Sequence, residues 1–223
     1  MRPLELLAQL EDIRGRCREC GTVLSDLLGE RKLEGDPRPA CFWMIFNKAT
    51  LTSEVLDYLC RRRDRLTSLS DPRTEERVEM ESQDRCMEMT RYLFIGTMSS
   101  VEHSCKVGVH LYPSSPLSER LEELRSKGRY IFLKGIIKES RGVGMIGPEE
   151  EREWMDLMLL RNLTVHNNAV SDQRARLCIG GREFDLREGE MIWGELDTFI
   201  FLASRVVDRY HCWIMALDSE GRS

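Results

Sequence analysis

Residues 148–168 read PEEEREWMDLMLLRNLTVHNN. Pro148 suits the first turn of a helix, where its missing N–H was unpaired in any case. Glu149, Glu150 and Glu151 put negative charge at the positive end of the helix dipole. Trp154, Leu157 and Met158 follow at helical spacing as an apolar stripe. The stripe leads directly to Arg161, and Asn167 and Asn168 are good helix-ending residues. The segment is therefore a capped, amphipathic helix that packs on other elements by one face.

The same periodicity extends outward from it. Residues 4–28 carry Leu7, Leu10, Ile13, Cys17 and Cys20 at three- and four-residue steps. Residues 30–39 hold Gly35, Pro37 and Pro39 and read as a loop. A short apolar run at 41–46 fits either an extended or a helical piece. Residues 52–65 form a second helix, with Ser53 as its cap and Val55, Leu56 and Leu59 inward. Residues 67–74 form a linker. Residues 75–112 are the longest helical stretch and stop before Pro113. Residues 117–140 form another helix, capped by Ser118, with Leu121, Leu124, Ile131, Leu133 and Ile137 as its apolar positions; Gly128 and Gly135 weaken it and are where it can break. Residues 141–147 are a glycine-rich connection. At the end of the chain Leu196, Phe199, Ile200, Ala203, Val206, Val207, Tyr210, Ile214 and Leu217 trace one wide stripe, as a central core helix requires.

Only residues 176–186 break the helical period. Two short runs flank Gly180-Gly181, a two-residue hairpin turn. That turn places Leu177 opposite Phe184 and Ile179 opposite Arg182. The fold class expected is mainly α, a helical bundle with a small β-hairpin before the C-terminal helix. At 223 residues the chain suffices for one sizeable core. Residues 1–223 are read as a single helical domain, with a motif-bearing bundle over 77–217 and an N-terminal helical part over 1–76 whose relation to it no pattern sets.

Composition narrows the functional classes. The net charge of −5 gives no global attraction to nucleic acid, so an RNA site must rest on a local basic patch. The start lacks a basic region followed by an apolar run, and no uninterrupted apolar run approaches membrane length. A cytoplasmic location with no membrane contact is expected. Of the eight cysteines, Cys41, Cys60, Cys86, Cys105, Cys178 and Cys212 read as small buried hydrophobes. Cys17 and Cys20 form a lone Cys-x-x-Cys with no second ligand pair. His103 and His110, two turns apart, are about 10 Å from each other along a helix axis, too far to share a metal. No metal and no cofactor are expected. Arg14, Arg16 and Arg18 read as a solvated face. Arg61, Arg62, Arg63 and Arg65 read as cations at a helix C-terminus.

The chemistry concentrates at the end of the 148–168 segment. Arg161, Asn162 and His166 lie within six positions. Arginine holds phosphate charge, and histidine moves protons near neutral pH. Asn162 and His166, four apart, share a helix face. Arg161 and His166, five apart, sit about 140° apart on an unbroken helix. They converge on one phosphate only if the helix ends between them, or if a second copy of the chain supplies one of them. A plainer reading is also open: Arg161 as a cation near a helix C-terminus, His166 as a surface histidine.

The pattern resembles the HEPN superfamily, whose hallmark is an arginine, often followed by a polar residue, with a histidine four to six residues on. Arg161, Asn162 and His166 fit it, within a chain that reads as helical from 77 to 217. The resemblance implies a metal-independent endoribonuclease that uses the ribose 2′-hydroxyl as nucleophile. By that resemblance Arg161, Asn162 and His166 are catalytic, with RNA as partner and Asn167 and Asn168 beside it. His166 would be the general acid or base, Arg161 the stabiliser of phosphate charge, and Asn162 would orient either one. It further implies a homodimer whose interface includes the motif, a role as a toxin or defence protein, and an antitoxin partner. The alternative is a non-catalytic HEPN-like module for RNA binding or protein interaction. One toxin group carries a modifiable tyrosine two residues after the histidine; here Asn168 stands there, so that control is not expected. Residues 157–171 contain no Asp or Glu, so a carboxylate such as Glu102 reaches the motif only through tertiary contact.

Overall fold

Proline-led helix starts set the element order. In the computed structural model, which describes residues 3–29, 36–68, 71–167, 169–192 and 195–220, helices α1 (Pro3–Leu28), α2 (Pro37–Thr67), α3 (Pro72–Gly108), α4 (Pro116–Ser126) and α6 (Pro148–His166) all begin on proline. The Asp36 side chain accepts from the Arg38 N–H, Asp71 from Arg73 and Thr74, and Ser115 from Ser118. Helix α5 (Leu133–Gly142), strands β1 (Ala175–Ile179) and β2 (Arg182–Leu186), helix α7 (Thr198–Glu220) and a single 3₁₀ turn at Val109–Leu111 complete the elements among the described residues. This is the expected class: mainly α, with one two-stranded antiparallel hairpin before the final helix.

Several local expectations change. Helix α2 runs unbroken through both the 41–46 run and the 52–65 segment, so Ser53 lies inside it and caps nothing. Pro37 and Pro39 do not break it because they occupy its first turn, where a proline removes no helical hydrogen bond. Ser115, immediately before Pro116, replaces Ser118 as the cap of α4. The break between α4 and α5 falls at Gly128, whose φ of 74° is left-handed. Arg16, with 43% of its side chain exposed, is solvated but also tied down, its Nη2 lying 2.5 Å from Asp208 Oδ1 on α7. Cys178 and Cys212 are exposed and Cys60 is half-buried, because each sits on an outward face of its element.

Helix α2 packs between α1 and α3, and α7 closes against α3 and α1. Buried apolar side chains from Leu6 to Leu217 form one connected cluster, with Trp154, Trp213, Phe42 and Phe94 among its largest members. The stripe on α7 is buried from Phe199 to Leu217; each of its Phe, Ile, Val and Leu side chains contributes about 1.5–3 kcal/mol by leaving water. Position 77 falls inside α3, whose later turns face both α2 and α6.

The hairpin has the expected register, with Leu177 opposite Phe184 and Ile179 opposite Arg182. Leu177, Ile179, Phe184 and Leu186 face the bundle, and the residues between them face out. Gly180 and Gly181 have φ of 55° and 81°, as a primed turn needs. A Cβ on Gly180 would meet Arg205 Nε at 2.6 Å.

Candidate functional site

Helix α6 is held at both ends. Glu150 Oε2 accepts from the Gly147 N–H at 2.9 Å. At the far end, the N–H groups of Asn167 and Ala169 both return to the Leu163 carbonyl, at 3.1 and 3.0 Å. Ala169 takes a left-handed φ of 63° to do this. The chain is then pinned to the segment before α7, where the Ile192 N–H donates to the Ala169 carbonyl at 2.6 Å. The helix is continuous through His166. It does not end between Arg161 and His166, so within one chain these side chains leave the axis about 140° apart.

Arg161 is half-buried on the side of α3. Its Nη1 donates to Asn162 Oδ1 at 3.0 Å, and its Nη2 lies 3.9 Å from Glu102 Oε2. Glu102 also accepts from Lys106 Nζ at 2.7 Å. Tertiary contact therefore does bring a carboxylate to the motif, and two cations already neutralise it. Asn162 is exposed, and its amide oxygen serves Arg161, not His166. His166 is also exposed, one turn beyond Asn162, with Val165 exposed beside it. Among the described residues the His166 side chain has no hydrogen-bond partner. Asn167 is the cap of the helix, its carbonyl accepting from the Val170 N–H at 2.8 Å. Asn168 lies outside the described residues.

A further side chain, absent from the motif, controls this end. Arg91 on α3 donates through Nη2 to the Thr164 carbonyl at 2.6 Å, and Thr164 Oγ1 in turn donates to the Leu160 carbonyl. A guanidinium thus meets the negative end of the α6 dipole from outside the helix. The sequence offers no local signal for it, since Arg91 is separated from Thr164 by 73 positions.

The other histidines lie elsewhere. His103 and His110 are exposed, and His110 Nε2 lies 2.9 Å from Arg125 Nη2. Desolvation and the Arg125 charge hold the His110 pKa below its usual value. Among the described residues no cluster of three or more His, Cys, Asp or Glu side chains could hold a metal ion. No helix among them is long and apolar enough to cross a membrane. No protein-family model, curated protein or solved structure matches the chain.

Proposed function

We propose that this chain is a HEPN-type endoribonuclease that cleaves RNA by 2′-hydroxyl attack without a metal ion, acting as a toxin or defence protein. The observation that carries the reading is the end of α6. It presents His166 and Asn162 to solvent on one face, in a turn fixed by the Leu163 carbonyl and Arg91, while Arg161 stays partly accessible on another. An exposed histidine at a hydrogen-bonded helix end is placed to exchange a proton with a docked ribose. A guanidinium held by one exposed hydrogen bond to Asn162 and a long, partly exposed pair with Glu102 is available to a phosphate, to which it binds more strongly.

Because the two side chains diverge on one helix, the composite site is proposed to form between two copies. Each copy supplies Arg161 to the phosphate that the other copy's His166 serves. The test is incubation of purified protein with single-stranded RNA alongside Arg161→Ala and His166→Ala. Cleavage by the parent and its loss in both variants, with unchanged folding, is the expected result. RNA binding without cleavage would turn the reading to a non-catalytic RNA-binding module.

A further inference from the structure

The loop between α4 and α5 exposes two aromatic rings to solvent. Tyr130 is 89% exposed and Phe132 61%, although phenylalanine is among the residues most often buried. Residues 127–138 carry four cations, Lys127, Arg129, Lys134 and Lys138, and no carboxylate. Lys127 is paired with Glu123; Arg129, Lys134 and Lys138 are exposed and have no ion pair among the described residues. In a chain of net charge −5 this is a local positive patch interleaved with aromatics.

The patch is continuous with the motif. The Lys106 ammonium sits over the Phe132 ring, 5.5 Å from its centroid. The same ammonium binds Glu102, which reaches Arg161. Phe132, Lys106, Glu102 and Arg161 thus form one surface track from the loop, across α3, to α6.

We infer that Tyr130 and Phe132 are a stacking platform for unpaired bases of a single-stranded nucleic acid whose phosphates follow Arg129, Lys134 and Lys106 toward Arg161. Aromatic side chains in a positive groove bind single strands because every base offers a π-face, and the cations track the backbone. A duplex keeps its bases stacked inside and offers the loop no free base face. The platform rests on the proposed nuclease reading for its substrate, RNA, but its binding is measured separately from cleavage.

The test uses full-length protein and fluorescein-labelled 2′-O-methyl oligoadenylate, which lacks the 2′-hydroxyl nucleophile and stays intact. Anisotropy should show binding that Tyr130→Ala/Phe132→Ala weakens on the order of tenfold or more. Phe132→Trp should retain it. Arg129→Ala/Lys134→Ala should flatten the salt dependence by about 0.7 in logarithmic slope for each phosphate no longer neutralised. Oligodeoxyadenylate in a parallel arm tells whether the strand must be RNA, and the same oligomer annealed to its complement should bind more weakly. Affinity unchanged in the double alanine variant, or preference for the duplex, overturns the platform. So does loop-dependent binding to phosphatidylserine vesicles without binding to the oligomer. Cleavage by the parent with platform variants that bind normally would remove the platform and leave the nuclease. Platform-dependent binding without cleavage of natural RNA would do the reverse.

Discussion

Arg161 Nη2 stands 3.9 Å from Glu102 Oε2 on α3, while His166, five residues along the same unbroken helix, faces solvent from a different side. One helix end therefore offers two half-sites and not one whole site. If each site combines Arg161 of one copy with His166 of another, Arg161→Ala and His166→Ala complement each other. Each variant alone should lose on the order of 10²–10⁴ in rate. Mixed after co-refolding, they should recover roughly a quarter of the parental activity, since half the dimers are mixed and each holds one intact site. No recovery in a mixture shown by mass to contain mixed dimers would count against a shared site.

Arg91 is expected to matter although it lies far from the motif in sequence. Removing its hydrogen bond to the Thr164 carbonyl leaves a helix-end carbonyl without its cationic partner. A bond to a charged group contributes about 1.5–3 kcal/mol. Arg91→Ala should lower stability to chemical denaturation by about that amount and loosen the turn that carries His166. Hydrogen exchange at Asn167 and Ala169 should quicken more than at the N-terminal half of α6. Unchanged exchange there would show that the Leu163 carbonyl fixes the turn alone.

What the sequence made legible was what local rules determine. Gly180-Gly181 sets the hairpin register by itself, because a two-residue turn leaves one pairing. Pro148 and the three glutamates mark the start of α6, and the α7 stripe marks the core. The misread features depend on partners distant in the chain or on a rule with two outcomes. Pro37 and Pro39 look like breakers until Asp36 is seen to cap a helix on them. Arg16 looks untethered until Asp208 arrives from α7. Reading 117–140 as one helix, with Ile131 and Leu133 among its apolar positions, conceals the loop that exposes Tyr130 and Phe132. At the motif, the residues were legible but their partners Arg91 and Lys106 were not, because α3 brings them there only by folding.

The cysteines should separate sharply in reactivity. Burial pushes the Cys17 and Cys41 thiols up to about 12 and those of Cys20 and Cys86 to about 11. Cys105, fully enclosed, is raised well above its ordinary value by the same cause. The thiolate is the nucleophile, so these five should resist alkylation near pH 8. Cys178 and Cys212 are exposed and should take up iodoacetamide first, as read by peptide mass spectrometry. Early labelling of Cys17 or Cys41 would mean that α1 and α2 separate in solution.

Arg38 anchors the start of α2 to the end of α7. Its guanidinium has no exposed surface, with Nη2 2.6 Å from Asp36 Oδ2 and Nη1 3.6 Å from Asp218 Oδ1. Tyr112 bridges the two, accepting from Arg38 Nη1 at 3.0 Å and donating to Asp218 Oδ1 at 2.5 Å. Breaking a buried pair strands the remaining charge and costs about 3–5 kcal/mol. Arg38→Ala should therefore destabilise the fold by about that much in urea unfolding. Tyr112→Phe, which removes one hydroxyl, should cost about 1–3 kcal/mol. Equal effects of the two substitutions would mean the hydroxyl, not the guanidinium, joins the helices.

Cleavage is expected to survive a chelator. Metal-dependent nucleases gather several carboxylates to hold the ion through hard oxygen ligands. Residues 157–171 supply none. The carboxylate that folding brings to Arg161 is Glu102, already engaged by Lys106 at 2.7 Å. Arginine and histidine suit the other route, in which the neighbouring 2′-hydroxyl attacks phosphorus and the 5′-oxygen leaves. That route forms the 2′-O–P bond, breaks the P–O5′ bond, and transfers a proton from the 2′-hydroxyl to the leaving oxygen through the protein. Its products are a 2′,3′-cyclic phosphate and a 5′-hydroxyl, distinguishable by end-labelling with and without phosphatase. The rate should be unchanged in excess EDTA, and RNA with a single 2′-deoxy position should resist cleavage there. Activity that disappears with EDTA and returns with magnesium, or products bearing 5′-phosphate, would overturn the mechanism even for a protein that cuts RNA.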